Sequence, residues 1–182
     1  MEFMDLKIDK QQTCESCLSV CLMNLLEFQK GIKLDQQEEY NILFEGLKFT
    51  RLDFSTGHLV YLSRKFPNLT FEQYIDFNIF YKILERLDLP KNLKMHSKKI
   101  NLKFLKKITK ENPVIIYVDM FTLEGIYHYS HFVILKEINN ENATIFDPWS
   151  GEKIEMKTKI LMKSISYIRN KLKISPKLIK IK

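Results

Sequence analysis

The spacing of apolar residues predicts that the chain begins with helices and ends with strands. Between residues 17 and 30, apolar side chains return at intervals of three and four, which is typical of a helix with one buried face. Ser16 precedes the first helical position, so its hydroxyl is predicted to accept a hydrogen bond from a first-turn amide. Gly31 predicts the end of this helix. The buried face is predicted to contain Leu18, Cys21, Leu22, Leu25 and Leu26.

Four more amphipathic segments predict helices before residue 113. Asp35, Ser55 and Asn101 stand where the second, third and fifth helices would begin, and each can cap a helix through its side chain. The aromatic segment 69–74 predicts a short strand, whereas segment 93–96 fits no single pattern. The apolar face of the second helix is predicted to carry Tyr40, Leu43, Phe44 and Leu47, and the fourth helix is marked by Ile79, Ile83, Leu84 and Leu87.

The period of the pattern changes after Pro113. Residues 114–118, VIIYV, form a β-branched and aromatic run that is typical of a central strand. Two more strands are predicted at 129–136 and 143–147, and the asparagine-rich segment between them supplies a turn. The second part of the chain therefore predicts strands that follow one another with short connections, as in an antiparallel sheet.

The last residues alternate lysine with apolar side chains. Segment 169–182 holds six basic residues and no acidic one, which predicts an edge strand with its lysines turned to solvent. Residues 153–156 also alternate, and Thr158 begins a short predicted helix. The expected fold class is α+β, with N-terminal helices packed on a C-terminal antiparallel sheet, in one domain over residues 1–182.

Composition and charge narrow the classes of function. The chain of 182 residues is 45% hydrophobic but has no run of about 18 apolar residues, so no membrane span is expected. Residues 1–10 mix acidic with apolar side chains and lack the core of a signal peptide. With three cysteines, the expected localisation is cytoplasmic. The net charge of +7 permits nucleic-acid binding, but the lysines are spread along the chain, so no nucleic-acid partner is expected.

The cysteines are the first candidates for chemistry. Cys17 occupies the first position of the first predicted helix, where the positive end of the helix dipole favours a thiolate. Cys14 and Cys17 also form a C-x-x-C pair, which can be a redox or metal motif. The chain has no second cysteine pair and no histidine near Cys14 in sequence, so no metal or other cofactor is expected. Cys21 fits the buried face and is interpreted as a packing residue.

His131 and Asp147 are the candidate partners of this thiol, since His131 begins one predicted strand and Asp147 ends the next. In a hairpin centred on Asn139 they face each other on the same side, with Cβ atoms roughly 4.5–5.5 Å apart. This register is favoured because it matches apolar residues on both strands. A four-residue loop over 139–142 is also compatible with the asparagines, and it would send Asp147 to the other face. The favoured register pairs Leu135 with Ala143, Val133 with Ile145 and His131 with Asp147.

These residue types can form a Cys-His-Asp site. Cys17 would be the nucleophile, and His131 would take its proton to give a thiolate–imidazolium pair. Asp147 would hold the imidazole in the useful tautomer and stabilise its charge. Gln11 can fold back so that its side-chain amide and the Cys17 backbone N–H stabilise an oxyanion. Taken singly, His131 also fits a core histidine and Asp147 a turn residue. The remaining histidines are interpreted as structural or surface residues: His58, His96 and His128.

Three motifs occur in order along the chain. Five residues separate Gln11 from Cys17, and an apolar helix that contains Cys21-Leu22 follows. His131 begins the apolar strand HFVIL, and Asp147 begins the sequence DPWSG. Together these motifs resemble those of the papain-like cysteine peptidases of the bacteriocin-processing type, which cut leader peptides after a double glycine, and of their stand-alone relatives.

The resemblance implies a papain-like fold in which the helix of the nucleophile packs against the sheet that carries the histidine and the aspartate. It implies that Cys17 is the nucleophile, His131 the base, Asp147 the orienting residue and Gln11 the oxyanion donor. The sequence departs from the family at two positions. Leu18 replaces the usual small residue after the nucleophile, and Ser16 replaces the common Asp or Asn before it.

The sequence therefore predicts a cysteine-dependent hydrolase that cleaves a peptide or amide bond through a thioester acyl-enzyme. The expected partner is a peptide or peptide-like substrate. Two alternatives stay open at this stage. One is an acyltransferase of the same fold that passes the acyl group to an amine, and the other is an inactive member that binds a peptide in the same groove.

Overall fold

A computed structural model describes residues 9–49, 53–125 and 127–182. The interpretation of the first ten residues as lacking a signal-peptide core falls mainly on residues 1–8, which lie outside the described residues. The described helices are α1 (Cys17–Lys30), α2 (Gln36–Phe49), α3 (Phe54–Lys65), α4 (Asn78–Leu84), α5 (Leu102–Ile108), α6 (Met120–Glu124), α7 (Thr158–Tyr167) and a π-helical segment, Ile168–Leu172. The described strands are β1 (Phe71–Ile75), β2 (Leu93–Ser97), β3 (Val114–Asp119), β4 (Ser130–Ile138), β5 (Asn142–Asp147), β6 (Glu152–Lys157) and β7 (Lys177–Ile181).

The strands form one seven-stranded sheet in the order β2-β1-β7-β3-β4-β5-β6. Neighbouring strands are antiparallel except for β1 and β2, which pair in parallel. The expected α+β class with a C-terminal antiparallel sheet is confirmed. The short strand predicted at 69–74 is confirmed as β1, and segment 93–96, which fitted no single pattern, lies in β2; the two strands extend this sheet at one edge.

Helices cover the sheet on both faces, and successive side chains of β3 point alternately into the two cores that result. Ile115 and Tyr117 pack into the core that contains the buried residues of α1 and α3. Ile116 and Val118 pack into the core on the other face, which contains residues of α5 and α7. A strand buried on both faces explains the continuous apolar run VIIYV. Helix α1 is buried along its first ten residues, so it is a central helix of the fold.

The tail strand β7 lies inside the sheet, between β1 and β3, so the prediction of an edge strand was wrong. Lys180 is only 4% exposed and forms an ion pair with Glu111. Lys177 forms an ion pair with buried Asp53, at 2.5 Å. Largely buried lysines that pair with carboxylates give the same alternating pattern as lysines on an edge strand, and the local sequence does not separate the two cases.

Polar side chains also set the ends of the helices. Asp53, and not Ser55 as predicted, caps α3, because its carboxylate accepts a hydrogen bond from the Ser55 backbone N–H at 3.2 Å. Asp35 and Asn101 accept backbone hydrogen bonds of 3.0 and 2.9 Å at the starts of α2 and α5. The predicted caps of these two helices are therefore confirmed.

The buried face of α2 differs from the predicted one. Phe44 and Leu47 are 56% and 49% exposed, although both were assigned to the apolar face. The buried positions of the helix include Glu39, Ile42 and Leu43. A pattern that scores only apolar residues misses this face, because one of its central positions is a carboxylate.

We predict that Lys177→Met destabilises the fold by about 3–5 kcal/mol, because it leaves the Asp53 carboxylate buried without its cation. The matched control is Lys48→Met, which breaks the largely exposed ion pair with Glu45 and should leave the free energy of unfolding nearly unchanged. Denaturant unfolding measures both values. Equal effects of the two substitutions would contradict the role assigned to Lys177.

Candidate active site

Cys17 is the first residue of α1 and is 7% exposed. The residues that follow it are buried, so the core fixes the position of the helix and of the thiol at its amino end. Unpaired backbone amides at such an end favour negative charge. Leu18 is fully buried in the core. The larger side chain at this position therefore fills the interior of the protein and takes no part in lining the cleft described below.

A buried carboxylate holds the loop before Cys17. Glu39 of α2 is 3% exposed, and its Oε1 accepts hydrogen bonds from the Gln12 backbone N–H at 2.8 Å and the Ser16 hydroxyl at 2.5 Å. Ser16 Oγ in turn accepts a hydrogen bond from the Thr13 backbone N–H at 3.3 Å. The predicted capping role of Ser16 was wrong, because its side chain makes no capping hydrogen bond. Glu39 and Ser16 instead fix the 11–16 loop against α2.

The hairpin of β4 and β5 carries the other two candidate residues, and its register differs from the prediction. The turn is the four-residue loop 139–142, which is closed by a hydrogen bond of 2.9 Å from Asn139 N–H to Asn142 O. Next to the turn, Ile138 pairs with Ala143. Beyond a bulge between residues 135 and 137, Leu135 pairs with Ile145. The predicted pairing of Leu135 with Ala143 was therefore wrong.

The bulge decides on which face the two residues meet. A four-residue loop alone would place His131 and Asp147 on opposite faces of the hairpin. The extra residue in β4 shifts the register by one and returns the two side chains to the same face. When the register beyond the bulge is continued, Asp147 lies opposite Val133, on the same face as His131 and diagonal to it. The two side chains meet, although they are not directly opposite as predicted.

Asp147 is fully buried and makes several hydrogen bonds. Its Oδ1 lies 2.7 Å from His131 Nε2 and accepts a hydrogen bond from the Trp149 backbone N–H at 3.0 Å. Its Oδ2 accepts one from the Ser150 backbone N–H at 3.1 Å. Burial alone would raise the pKa of Asp147, but the bonds to His131 and to the two amides outweigh it and lower the pKa. The carboxylate is therefore ionised at neutral pH.

His131 lies between the carboxylate and Cys17. Its Nε2 is 2.7 Å from Asp147 Oδ1, and Cys17 is close enough to influence the charge of the imidazole. Because Asp147 occupies Nε2, Nδ1 is the ring nitrogen available to the sulfur. Burial favours the neutral imidazole, but the hydrogen bond to Asp147 and the proximity of Cys17 outweigh it and raise the pKa of His131 to about 9. The imidazolium form is therefore favoured at neutral pH. The arrangement can supply a nucleophile and a proton donor together.

Gln11 lies beside this group. Its backbone N–H donates to Pro148 O at 2.8 Å, so the start of the 11–16 loop is tied to the turn that follows Asp147. Its side-chain Nε2 donates to Thr13 O at 2.6 Å. A primary amide carries two hydrogens on this nitrogen, so one hydrogen remains for a ligand. Gln11 and His131 line the same cleft.

The cleft has a volume of about 650 Å³, which is within the usual range for ligand sites. One side of it comes from the 11–16 loop. The other comes from the start of β4 and the residues before it, the turn after β5, and the end of the π-helical segment with the residues that follow it. Its lining residues are Gln11, Cys14, Glu15, Tyr127, His128, Tyr129, Ser130, His131, Trp149, Leu172 and Ile174.

His128, which the sequence interpretation took as a structural or surface residue, lines the cleft. Its Nδ1 lies 3.2 Å from both oxygens of the fully buried Asp119. Its ring stacks on Tyr167 and contacts Phe121, with centroid distances of 4.1 and 4.2 Å. The signal in the sequence was the run YHYSH at residues 127–131, in which two tyrosines and two histidines cluster around the start of the predicted strand.

The other two histidines are structural, as interpreted from the sequence. His58 is fully buried, and burial lowers its pKa to about 4, so it is neutral at pH 7. His96 stacks on Tyr74 with a centroid distance of 4.7 Å. In the described ranges, no group of three or more His, Cys, Asp or Glu side chains is arranged to hold a metal ion. Among the described helices, none is both long and apolar enough to cross a membrane.

Comparison with solved structures identifies the fold. The chain is similar to the crystal structure of the peptidase domain of Streptococcus ComA, a bi-functional ABC transporter involved in a quorum-sensing pathway. The match covers 97% of each chain, with a TM-score of 0.54 and 11% sequence identity. The expected papain-like peptidase fold is thereby confirmed. No protein-family model matches the sequence, and no curated protein does.

We predict that Glu39→Ala destabilises the fold by about 1–3 kcal/mol, because it leaves two donors of the 11–16 loop without their acceptor. Glu39→Gln keeps an acceptor oxygen, so it should lower the free energy of unfolding by less. The matched control is Glu45→Ala, at an exposed position of the same helix. Denaturant unfolding gives the stability, and hydrogen exchange of the Gln12 amide reports the loop. Unchanged Gln12 protection in Glu39→Ala would contradict the assigned contact.

Proposed function

We propose that this protein is a cysteine-dependent hydrolase that cleaves a peptide or amide bond through a thioester intermediate. The observation that carries the proposal is the position of His131, whose Nε2 lies 2.7 Å from Asp147 Oδ1 and whose imidazole is close enough to Cys17 for the thiol to influence its charge. Cys17 is assigned as the nucleophile, His131 as the general acid and base, and Asp147 as the residue that orients and charges the imidazole.

In the first half of the reaction, the Cys17 thiolate attacks the carbonyl carbon of the substrate and a C–S bond forms. The carbonyl oxygen becomes an oxyanion, for which the Cys17 backbone N–H and the free amide hydrogen of Gln11 are the proposed donors. His131 gives its proton to the departing nitrogen, the C–N bond breaks, and the amine leaves. A thioester and a neutral imidazole remain.

In the second half, the neutral His131 takes a proton from water, and the resulting hydroxide equivalent attacks the thioester carbon. The C–S bond breaks, the acid product leaves, and the thiolate–imidazolium pair is restored. Asp147 keeps its hydrogen bond to Nε2 in both halves, so Nδ1 is the nitrogen that exchanges the proton. An amine in place of water would give acyl transfer with the same residues.

Two further observations support the proposal. The similarity of the fold to a peptidase domain makes a peptide the natural class of substrate. Cys14, Cys17 and Cys21 are free thiols, in keeping with the reducing, cytoplasmic setting expected from the sequence. We propose that residues 1–182 act as one catalytic domain.

We predict that iodoacetamide modifies Cys17 faster than Cys14 or Cys21 near neutral pH. Accessibility alone predicts a different order, because Cys14 is exposed whereas Cys17 is buried. Burial raises the pKa of the Cys21 thiol, so Cys21 should be slowest. Time-resolved mass spectrometry of peptides that contain each cysteine measures the three rates, and Cys17→Ala should remove the fast phase.

The contrary outcome is equally specific. If Cys14 reacts first and Cys17 reacts at the slow rate of a shielded thiol, the site has no activated nucleophile. The inactive peptide-binding alternative would then replace the hydrolase.

We predict that the His131 imidazole titrates at about pH 9 in the native protein and at clearly lower pH in Asp147→Asn. The sign follows from charge, because a neutral amide no longer favours the imidazolium over the imidazole. NMR of histidine-labelled protein measures the midpoint. His58, with a pKa of about 4, is an internal control that should not move. An unchanged His131 midpoint would remove Asp147 from the proposed site.

A further inference from the structure

One side of the cleft is apolar and aromatic. The residues before β4 contribute Tyr127 and Tyr129, whose rings contact each other with centroids 4.7 Å apart. Trp149 projects from the turn after Asp147, Leu172 is the last residue of the π-helical segment, and Ile174 follows that segment. These side chains belong to three separate segments of the chain, so the fold assembles this apolar wall in the cleft that His131 also lines.

Two of these aromatic side chains are largely exposed to solvent in the folded chain. Trp149 is 52% exposed and Tyr127 is 61% exposed. Aromatic side chains contribute large areas on burial, and an exposed apolar patch at a concave site commonly marks the position of a ligand. A ligand that covered these rings would remove their apolar surface from water, which would favour binding.

The wall is held in place before any ligand binds. The Trp149 backbone N–H donates to Asp147 Oδ1 at 3.0 Å, which fixes this residue beside the His131–Asp147 pair. The π-helical segment is anchored by Arg169, which makes two hydrogen bonds of 3.0 and 2.8 Å to the Asp76 carboxylate. A preformed wall loses little conformational freedom on binding, so the burial of a ligand side chain translates into affinity.

We propose that the substrate carries a large apolar side chain, aromatic or branched aliphatic, next to the bond that is cleaved, and that this side chain packs on the wall of Tyr127, Trp149, Leu172 and Ile174. The inference rests on the proposed function of Cys17 and specifies the substrate of that site. A pair of glycines at the same position would leave the wall uncovered, because glycine has no side chain to bury.

The test uses two alkylating reagents that differ only by a benzyl group, iodoacetyl-phenylalaninamide and iodoacetyl-glycinamide. Their rate ratio is measured at Cys17 by mass spectrometry and divided by the ratio measured with free glutathione, which removes intrinsic reactivity. We expect the phenylalanine reagent to be favoured at Cys17 by about tenfold or more, as the burial of one aromatic side chain implies. A normalised ratio near one, or one that favours glycine, would overturn the inference.

Three variants test which residues cause the preference for the phenylalanine reagent. Trp149→Ala and Tyr127→Ala should each reduce the normalised ratio several-fold. Phe44→Ala removes a similarly exposed aromatic side chain, at 56%, from α2 and outside the cleft lining, and should leave the ratio unchanged. A preference that survives both cleft substitutions, or that falls equally in Phe44→Ala, would overturn the assignment of the wall.

The proposed function and the inference about the substrate side chain are contradicted by different results. A Cys17 that reacts with iodoacetamide more slowly than Cys14 removes the proposed function and this inference with it. A fast-reacting Cys17 that shows no preference between the two reagents removes the inference alone and leaves the hydrolase in place.

Discussion

The hydrogen bond between His131 and Asp147 is the contact on which the whole candidate site depends. Asp147 is fully buried, where a carboxylate without partners would be strongly unfavourable. Its partners are the imidazole of His131 and two amides of the turn that follows it. These partners are in place only when the hairpin register and the turn have both formed. The orientation of the imidazole toward Cys17 is therefore a product of strand pairing as much as of side-chain chemistry.

The surroundings of Cys17 join this unit through a few polar contacts. Gln11 is bonded to the carbonyl of Pro148, which directly follows Asp147. Glu39 holds the rest of the 11–16 loop against α2. Trp149 serves two purposes at once, since its amide fixes the carboxylate while its ring lines the cleft. The proposed chemistry and the proposed substrate recognition thus share one short turn.

The sequence predicted the elements whose signal is local. Helix α1 and strands β3 to β5 followed from apolar periodicity, because nearly every apolar position in them is buried. It failed where a buried charge has a distant partner. Lys180 pairs with a residue 69 positions away, and Glu39 binds the amide of a residue 27 positions away. No window of sequence contains both partners of such a contact, so their positions looked exposed.

In the candidate site, too, features that depend on local sequence could be predicted, whereas contacts between distant residues could not. The positions of Cys17 at a helix start, His131 at a strand start and Asp147 at a strand end could be predicted, because each depends on its own element. The contact between His131 and Asp147 could not be derived with the correct register, because a bulge is a local irregularity that apolar matching does not detect. The contact of His128 could not be predicted, because its partner, Asp119, is a fully buried residue at the end of β3.

The bulge in β4 also bears on how the chain can change in length over evolution. A four-residue turn and one extra residue in the strand together keep His131 and Asp147 on one side. Insertion or deletion of a single residue in the turn reverses that parity unless the bulge is lost in the same lineage. The two irregularities therefore form a linked pair, and relatives with a turn of odd length need a regular strand to preserve the same geometry.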